Sequence, residues 1–136
     1  MKSKKIILDT NLWISFLISH RLHEIDDLLL NNRIQLIFSK ELIEEFVTVA
    51  KRPKLEKFFT EKNITDLLQL FDSFGKLVEV STKVSVCRDY KDNFLLSLAL
   101  DSQSDYLLTG DYDLLELKII KQTKIISWTE FLSENV

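Results

Sequence analysis

Acidic residues recur through residues 87–115 of this chain in a pattern suited to holding a cation. Asp89, Asp92, Asp101, Asp105, Asp111 and Asp113 are separated by apolar residues too regular for a solvated acidic loop. Asp9 follows an apolar run near the start, and the neighbours Glu44 and Glu45 lie within an amphipathic segment. Carboxylates gathered in one crevice repel one another unless a cation compensates them. Hard divalent cations such as magnesium and manganese prefer carboxylate and water oxygens. Hydrolysis of a phosphodiester fits such a site, because a metal polarises the phosphoryl oxygen and strengthens water as a nucleophile near neutral pH.

Other chemistries find less support. The two histidines, His20 and His23, lie away from the acids, so they read as exposed surface residues. A Ser/His/Asp or Cys/His centre would need one of them beside a nucleophile, and no nucleophile-elbow motif is present. Cys87, between Val86 and Arg88, reads as a packed thiol, and zinc-type Cys/His spacing does not occur. Gly75 and Gly110 are the only glycines, which removes Gly-rich phosphate loops. A phospho-accepting aspartate would need a well-placed lysine, and neither Lys91 nor Lys118 can be placed from sequence.

The elements that must position the acids follow from hydrophobic period. Lys5–Leu8 is a short run without polar alternation, as in a parallel strand buried on both faces. Asp9 therefore stands at a strand's carboxyl end, although Asp9 or Asn11 can equally cap the helix expected over Leu12–Ile18. A helix over 22–30 and a strand over Ile34–Phe38 follow. Ser39 is placed to cap a helix whose apolar arc carries Leu42, Phe46 and Val49; Glu45 and Glu44 border opposite edges of that arc. Pro53 ends this helix within Lys51-Arg52-Pro53-Lys54, a basic cluster joined by Lys57. The cluster reads as cations favoured at a helix C-terminus, with contact to an RNA backbone as the alternative.

Thr65–Leu77 is expected to be helical with Thr65 as its cap and Gly75 near its end, and Val78–Val80 a brief strand. Asn93–Asp101 reads as a largely buried helix with Asp92 in its first turn. Tyr106–Thr109 reads as a buried strand closed by Gly110-Asp111. A turn of helix at 114–117, a strand over Lys124–Ser127 and a terminal helix capped by Ser127 or Thr129 complete the chain. Alternating strands and helices predict a three-layer α/β/α fold with a central, mainly parallel sheet. In such a sheet, ligands bind outside the carboxyl ends of the strands, where Asp9 and Asp111 are expected.

Size and composition agree with one folded domain over 1–136: 136 residues, 46% hydrophobic and 29% charged. A net charge of −3 advertises no global affinity for nucleic acid, though a local basic patch can suffice. A lone cysteine, no apparent targeting segment and no apolar stretch of 18 residues point to a cytoplasmic chain without a membrane span.

Taken in order, these motifs resemble the PIN-domain family over nearly the whole chain, and within it the VapC-like toxins of toxin–antitoxin pairs. The matching pieces are Ile7-Leu8-Asp9-Thr10-Asn11, Ser39 to Phe46, Arg52-Pro53-Lys54, Lys91-Asp92-Asn93 and Thr109 to Leu115. The resemblance implies a magnesium- or manganese-dependent endoribonuclease with Asp9, Glu45, Asp92 and Asp111 as catalytic, metal-binding acids. Glu45 is preferred to Glu44 because Phe46 follows it. Asp113 would share the metal, and Asn11 and Thr109 would support the site. Lys51, Arg52 and Lys54 would contact substrate. Implied partners are an RNA substrate, a small antitoxin protein and a second copy in a homodimer. Two further readings accompany this one: a silent PIN-fold module that binds RNA or a partner, and a structure-specific nuclease acting on DNA.

Overall fold

Six strands form one mixed sheet in the computed structural model, in the order β3-β2-β1-β4-β6-β5. It describes residues 3–19, 23–31, 33–86 and 90–135. The strands are β1 (Lys4–Leu8), β2 (Ile34–Phe38), β3 (Gly75–Leu77), β4 (Tyr106–Leu108), β5 (Ile119–Ile120) and β6 (Thr123–Ile126). All neighbours run parallel except β5, which pairs antiparallel with β6. Ile6, Ile7 and Leu8 are all buried, as are Tyr106, Leu107 and Leu108. Consecutive strand side chains point to opposite faces, so helices must cover both, giving the expected α/β/α layering.

Those helices are α1 (Thr10–Ile18), α2 (His23–Leu30), α3 (Lys40–Ala50), α4 (Glu61–Phe74), α5 (Tyr90–Ser102), the short α6 (Tyr112–Leu115) and α7 (Trp128–Asn135). Ser39 caps α3 as its type predicts, its hydroxyl accepting from the Leu42 N–H at 3.1 Å. Ser127 does the same for α7 through the Glu130 N–H, also at 3.1 Å. Large aromatics hold the layers together. Phe38 and Phe71 sit 4.0 Å apart by ring centroid, with Trp13 edge-on to Phe71 at 5.1 Å. Under the other half of the sheet, Phe16 meets Trp128 at 5.0 Å.

Several boundaries differ from expectation, among them α6, which spans Tyr112–Leu115 rather than 114–117. Helix α4 begins at Glu61, so Thr65 lies inside it rather than capping it. The first turn, Glu61-Lys62-Asn63, is polar, and apolar periodicity therefore starts late. The helix also stops at Phe74, and the next strand is Gly75–Leu77 rather than Val78–Val80. The reason lies at Gly75: a Cβ there would lie 2.5 Å from the Phe71 carbonyl oxygen and 2.7 Å from the Phe38 ring. Glycine lets the chain turn closely against β2 and pair at once, and the Val78 N–H extends that pairing to the Phe38 carbonyl at 2.7 Å. Finally, two-residue β5 went unforeseen, being too short to show a period.

The strand order creates the crevice. From β1 the chain winds outward through β2 to β3, then returns to place β4 on the other side of β1. Open α/β sheets bind ligands at this reversal, outside the carboxyl ends of the two strands that flank it. Here those strands are β1 and β4, with Leu8 beside Leu108.

Candidate metal centre

Residues directly after β1 and β4 meet at that point. The Asp9 N–H continues the sheet to the Leu108 carbonyl at 3.0 Å, and Thr109 continues it to Ile126 at 3.1 Å. Asp9 also begins α1: its Oδ1 accepts from the Asn11 N–H at 3.2 Å, and its carbonyl accepts from Leu12 and Trp13. Capping and a place in the crevice are therefore both true of Asp9. The other oxygen, Oδ2, accepts from the Thr109 hydroxyl at 2.8 Å. That hydroxyl in turn accepts from the Asp111 N–H at 3.0 Å. Asp9, 8% exposed, and Thr109, 1% exposed, thus tie the two strand ends together beneath the surface.

Asp111 caps α6, its Oδ1 accepting from the Asp113 N–H at 2.9 Å. This turn brings both carboxylates round to face the first turn of α5. Helix α5 runs into β4, so its N-terminal turn lies at the same end of the sheet and carries Asp92, 6% exposed. One carboxylate oxygen from each of Asp92, Asp111 and Asp113 lies within 4.8 Å of the others. Three hard oxygen donors converging from a buried, a half-buried and an exposed aspartate are chemically matched to a magnesium- or manganese-sized ion.

Glu45 approaches from α3. Its Oε2 accepts from the Thr10 hydroxyl at 3.4 Å, and its Oε1 lies 3.6 Å from the Lys91 ammonium. Glu44 instead faces solvent and pairs with Lys40 one turn back at 3.9 Å. Asn11 is exposed, contributing its backbone N–H to Asp9.

Not every acid of the 87–115 stretch joins this group. Asp101, at the far end of α5, binds the loop beside it: the Thr82 hydroxyl and N–H and the Ser81 N–H hold its carboxyl below the ordinary value of 3.8. Asp105 accepts from the Lys5 N–H at 2.8 Å, at the opposite end of the strands. Lys51, Arg52, Lys54 and Lys57 are exposed and follow the last turn of α3. Lys51 is about 9 Å further along the helix axis than Glu45, and the Lys57 ammonium sits over the Phe58 ring at 5.1 Å. His20, Cys87 and Asp89 lie outside the described residues, as does the side chain of His23. Sequence reasoning missed Thr10 and Lys91 as neighbours of Glu45. A polar residue directly after Asp9 was a signal for the first; nothing local connects Lys91 to α3.

The family described as the PIN domain matches residues 5–113. An uncharacterized protein of Methanocaldococcus jannaschii is 32% identical over 117 residues, covering 84% of this chain and 75% of the relative. Among solved structures, this fold is similar to VapBC2 from Rickettsia felis bound to a DNA fragment from its promoter. That match has a TM-score of 0.59 at 17% identity, over 91% of this chain and 98% of that one. Identity that low speaks to the fold alone.

Proposed function

Because this chain belongs to the PIN-domain family, we propose that it is a divalent-metal-dependent endoribonuclease, the toxin of a toxin–antitoxin pair. The observation that carries this reading is the convergence of Asp92, Asp111 and Asp113 within 4.8 Å at the sheet's reversal point. Asp9 lies outside that trio but is tied to Asp111 through Thr109, and is proposed as a fourth carboxylate. These residues would hold magnesium or manganese, with Glu45 at the rim. Held by these residues, such an ion would offset negative charge on the phosphoryl group and make water more acidic.

The protein's own part is positioning. Burial of Asp92 and the Thr109 bonds to Asp9 and Asp111 keep the acids in place before substrate arrives, so little reorganisation accompanies reaction. RNA would approach the open end of the crevice, with Lys51, Arg52 and Lys54 as more distant backbone contacts. Residues 1–136 act as one nuclease domain in this reading, since β5 and β6, beyond the matched segment, complete the same sheet. A small antitoxin protein is the proposed partner, on family membership and the likeness to a VapBC2 fold, and a homodimer the proposed assembly. No helix among the described residues is long and apolar enough to cross a membrane, which suits the cytoplasmic setting proposed here.

The test is cleavage of RNA with manganese or magnesium by the wild type beside Asp92→Asn, purified identically. Loss of at least about 100-fold in the variant, with its circular dichroism unchanged, and loss with chelator in the wild type, are expected. Equal cleavage by both would refute the assignment. Metal binding without cleavage of any RNA would favour a silent binding module, and preference for branched DNA a structure-specific nuclease.

A further inference from the structure

A site built on Asp92, Asp111 and Asp113, with Asp9 tied to Asp111 through Thr109, is a poor place for a phosphodiester anion. One divalent ion offsets two of these four formal charges, so a further cation beside the site would favour the substrate. Lys91 is positioned to be that cation. It precedes Asp92 in the first turn of α5, and its ammonium reaches across to Glu45 of α3 at 3.6 Å. The lysine side chain is 44% exposed and that of Glu45 29%, so the pair is within reach of solvent and of an incoming ligand.

As a stabilising device the contact is weak. Half-exposed ion pairs contribute little to stability, and 3.6 Å exceeds an ordinary hydrogen bond. Glu45 keeps a second partner in the Thr10 hydroxyl, so it does not depend on the lysine alone. A half-exposed point charge on a flexible stem, one residue from Asp92, is instead suited to exchange its carboxylate for a phosphate oxygen. We propose that Lys91 is the phosphate-binding residue of this cleft, resting on Glu45 until an RNA phosphodiester takes its place. The inference rests on the ribonuclease reading and adds to it the group that admits the anion.

Charge gives the test opposite signs. Removing the ammonium makes the cleft more negative, so manganese binds more tightly while RNA binds less well. A lysine that merely orders Glu45 would weaken the metal when lost and leave the substrate unaffected. The experiment uses the full chain as wild type, Lys91→Met and Lys91→Arg. Manganese affinity is measured by calorimetry without RNA, and KM and kcat on one RNA substrate with manganese.

For Lys91→Met, manganese affinity is expected to rise about threefold or more, and KM to rise about tenfold. Lys91→Arg should return KM to within about threefold of wild type. Weaker manganese binding with unchanged KM, or no change in either, would overturn the proposal. So would unfolding of Lys91→Met, which would make the residue structural. A wild type that neither binds manganese nor cuts RNA would overturn the ribonuclease reading itself and this inference with it. A wild type that does both, with Lys91→Met unaltered, would overturn only the inference.

Discussion

Thr109→Val tests whether the two strand ends act as one unit. Valine keeps the shape of threonine and removes only the hydroxyl that donates to Asp9 at 2.8 Å and accepts from the Asp111 N–H at 3.0 Å. A hydrogen bond to a charged group contributes about 1.5–3 kcal/mol, and the half-buried Asp111 N–H adds about 0.5–1 kcal/mol when orphaned. Asp9 retains its bond from the Asn11 N–H, so a total loss of about 3 kcal/mol is expected. With 136 residues at about 2.1 cal/mol/K each, unfolding entropy is about 0.29 kcal/mol/K and the thermal midpoint falls by about 10 °C. Thr109→Ser keeps the hydroxyl and loses one buried methyl, about 1 kcal/mol, or about 3–4 °C. Thermal unfolding in chelator reads this difference free of any metal. In calorimetry, manganese affinity should fall about tenfold or more for valine, because residues that orient ligands matter nearly as much as the ligands. A valine variant no less stable than the serine variant would refute the idea that this hydroxyl joins Asp9 to Asp111.

Two further perturbations probe the scaffold. Gly75→Ala places a Cβ against the Phe71 carbonyl and the Phe38 ring, so it should cost about 1–3 kcal/mol. A lower urea midpoint with unchanged slope is expected, and an unchanged midpoint would contradict the close approach of α4 and β2. Asp101 has its folded pKa depressed by bonds from Thr82 and Ser81. Its contribution is therefore fully present above the unfolded value and is lost as pH falls below it toward the folded one. The stability gap between wild type and Asp101→Asn should be constant from about pH 7 to pH 5 and shrink below about pH 4. The effect is small because the carboxylate is largely solvated; a gap that widens on acidification would reverse the sign argued here.

What the amino-acid sequence determined by itself is local. Runs such as Ile6-Ile7-Leu8 and Tyr106-Leu107-Leu108 declare buried parallel strands, because only a strand covered on both faces lacks polar alternation. Ser39 and Ser127 announce helix starts, because a short hydroxyl side chain satisfies an orphan N–H. Asp9 and Asp111 could be placed at strand ends from the polar residues that follow each run. Boundaries failed where the governing contact was not local. Gly75 marks a close approach to Phe38, 37 positions away, and the apolar period of α4 starts only after its polar first turn.

Tertiary structure alone decided which acids meet. Asp92, Asp111 and Asp113 converge because the strand order reverses between β1 and β4, and no residue-level period encodes that order. Asp101 and Asp105 are as acidic and as near in sequence, yet the length of α5 carries them to the other end of the sheet. Glu44 and Glu45 border the same apolar arc, and periodicity does not separate them; the packing of α3 sets Glu45 beside Thr10 and Lys91 and leaves Glu44 in solvent. Secondary structure is written in short-range sterics and burial, whereas the meeting of Asp92 with Asp111 and Asp113 depends on long-range packing.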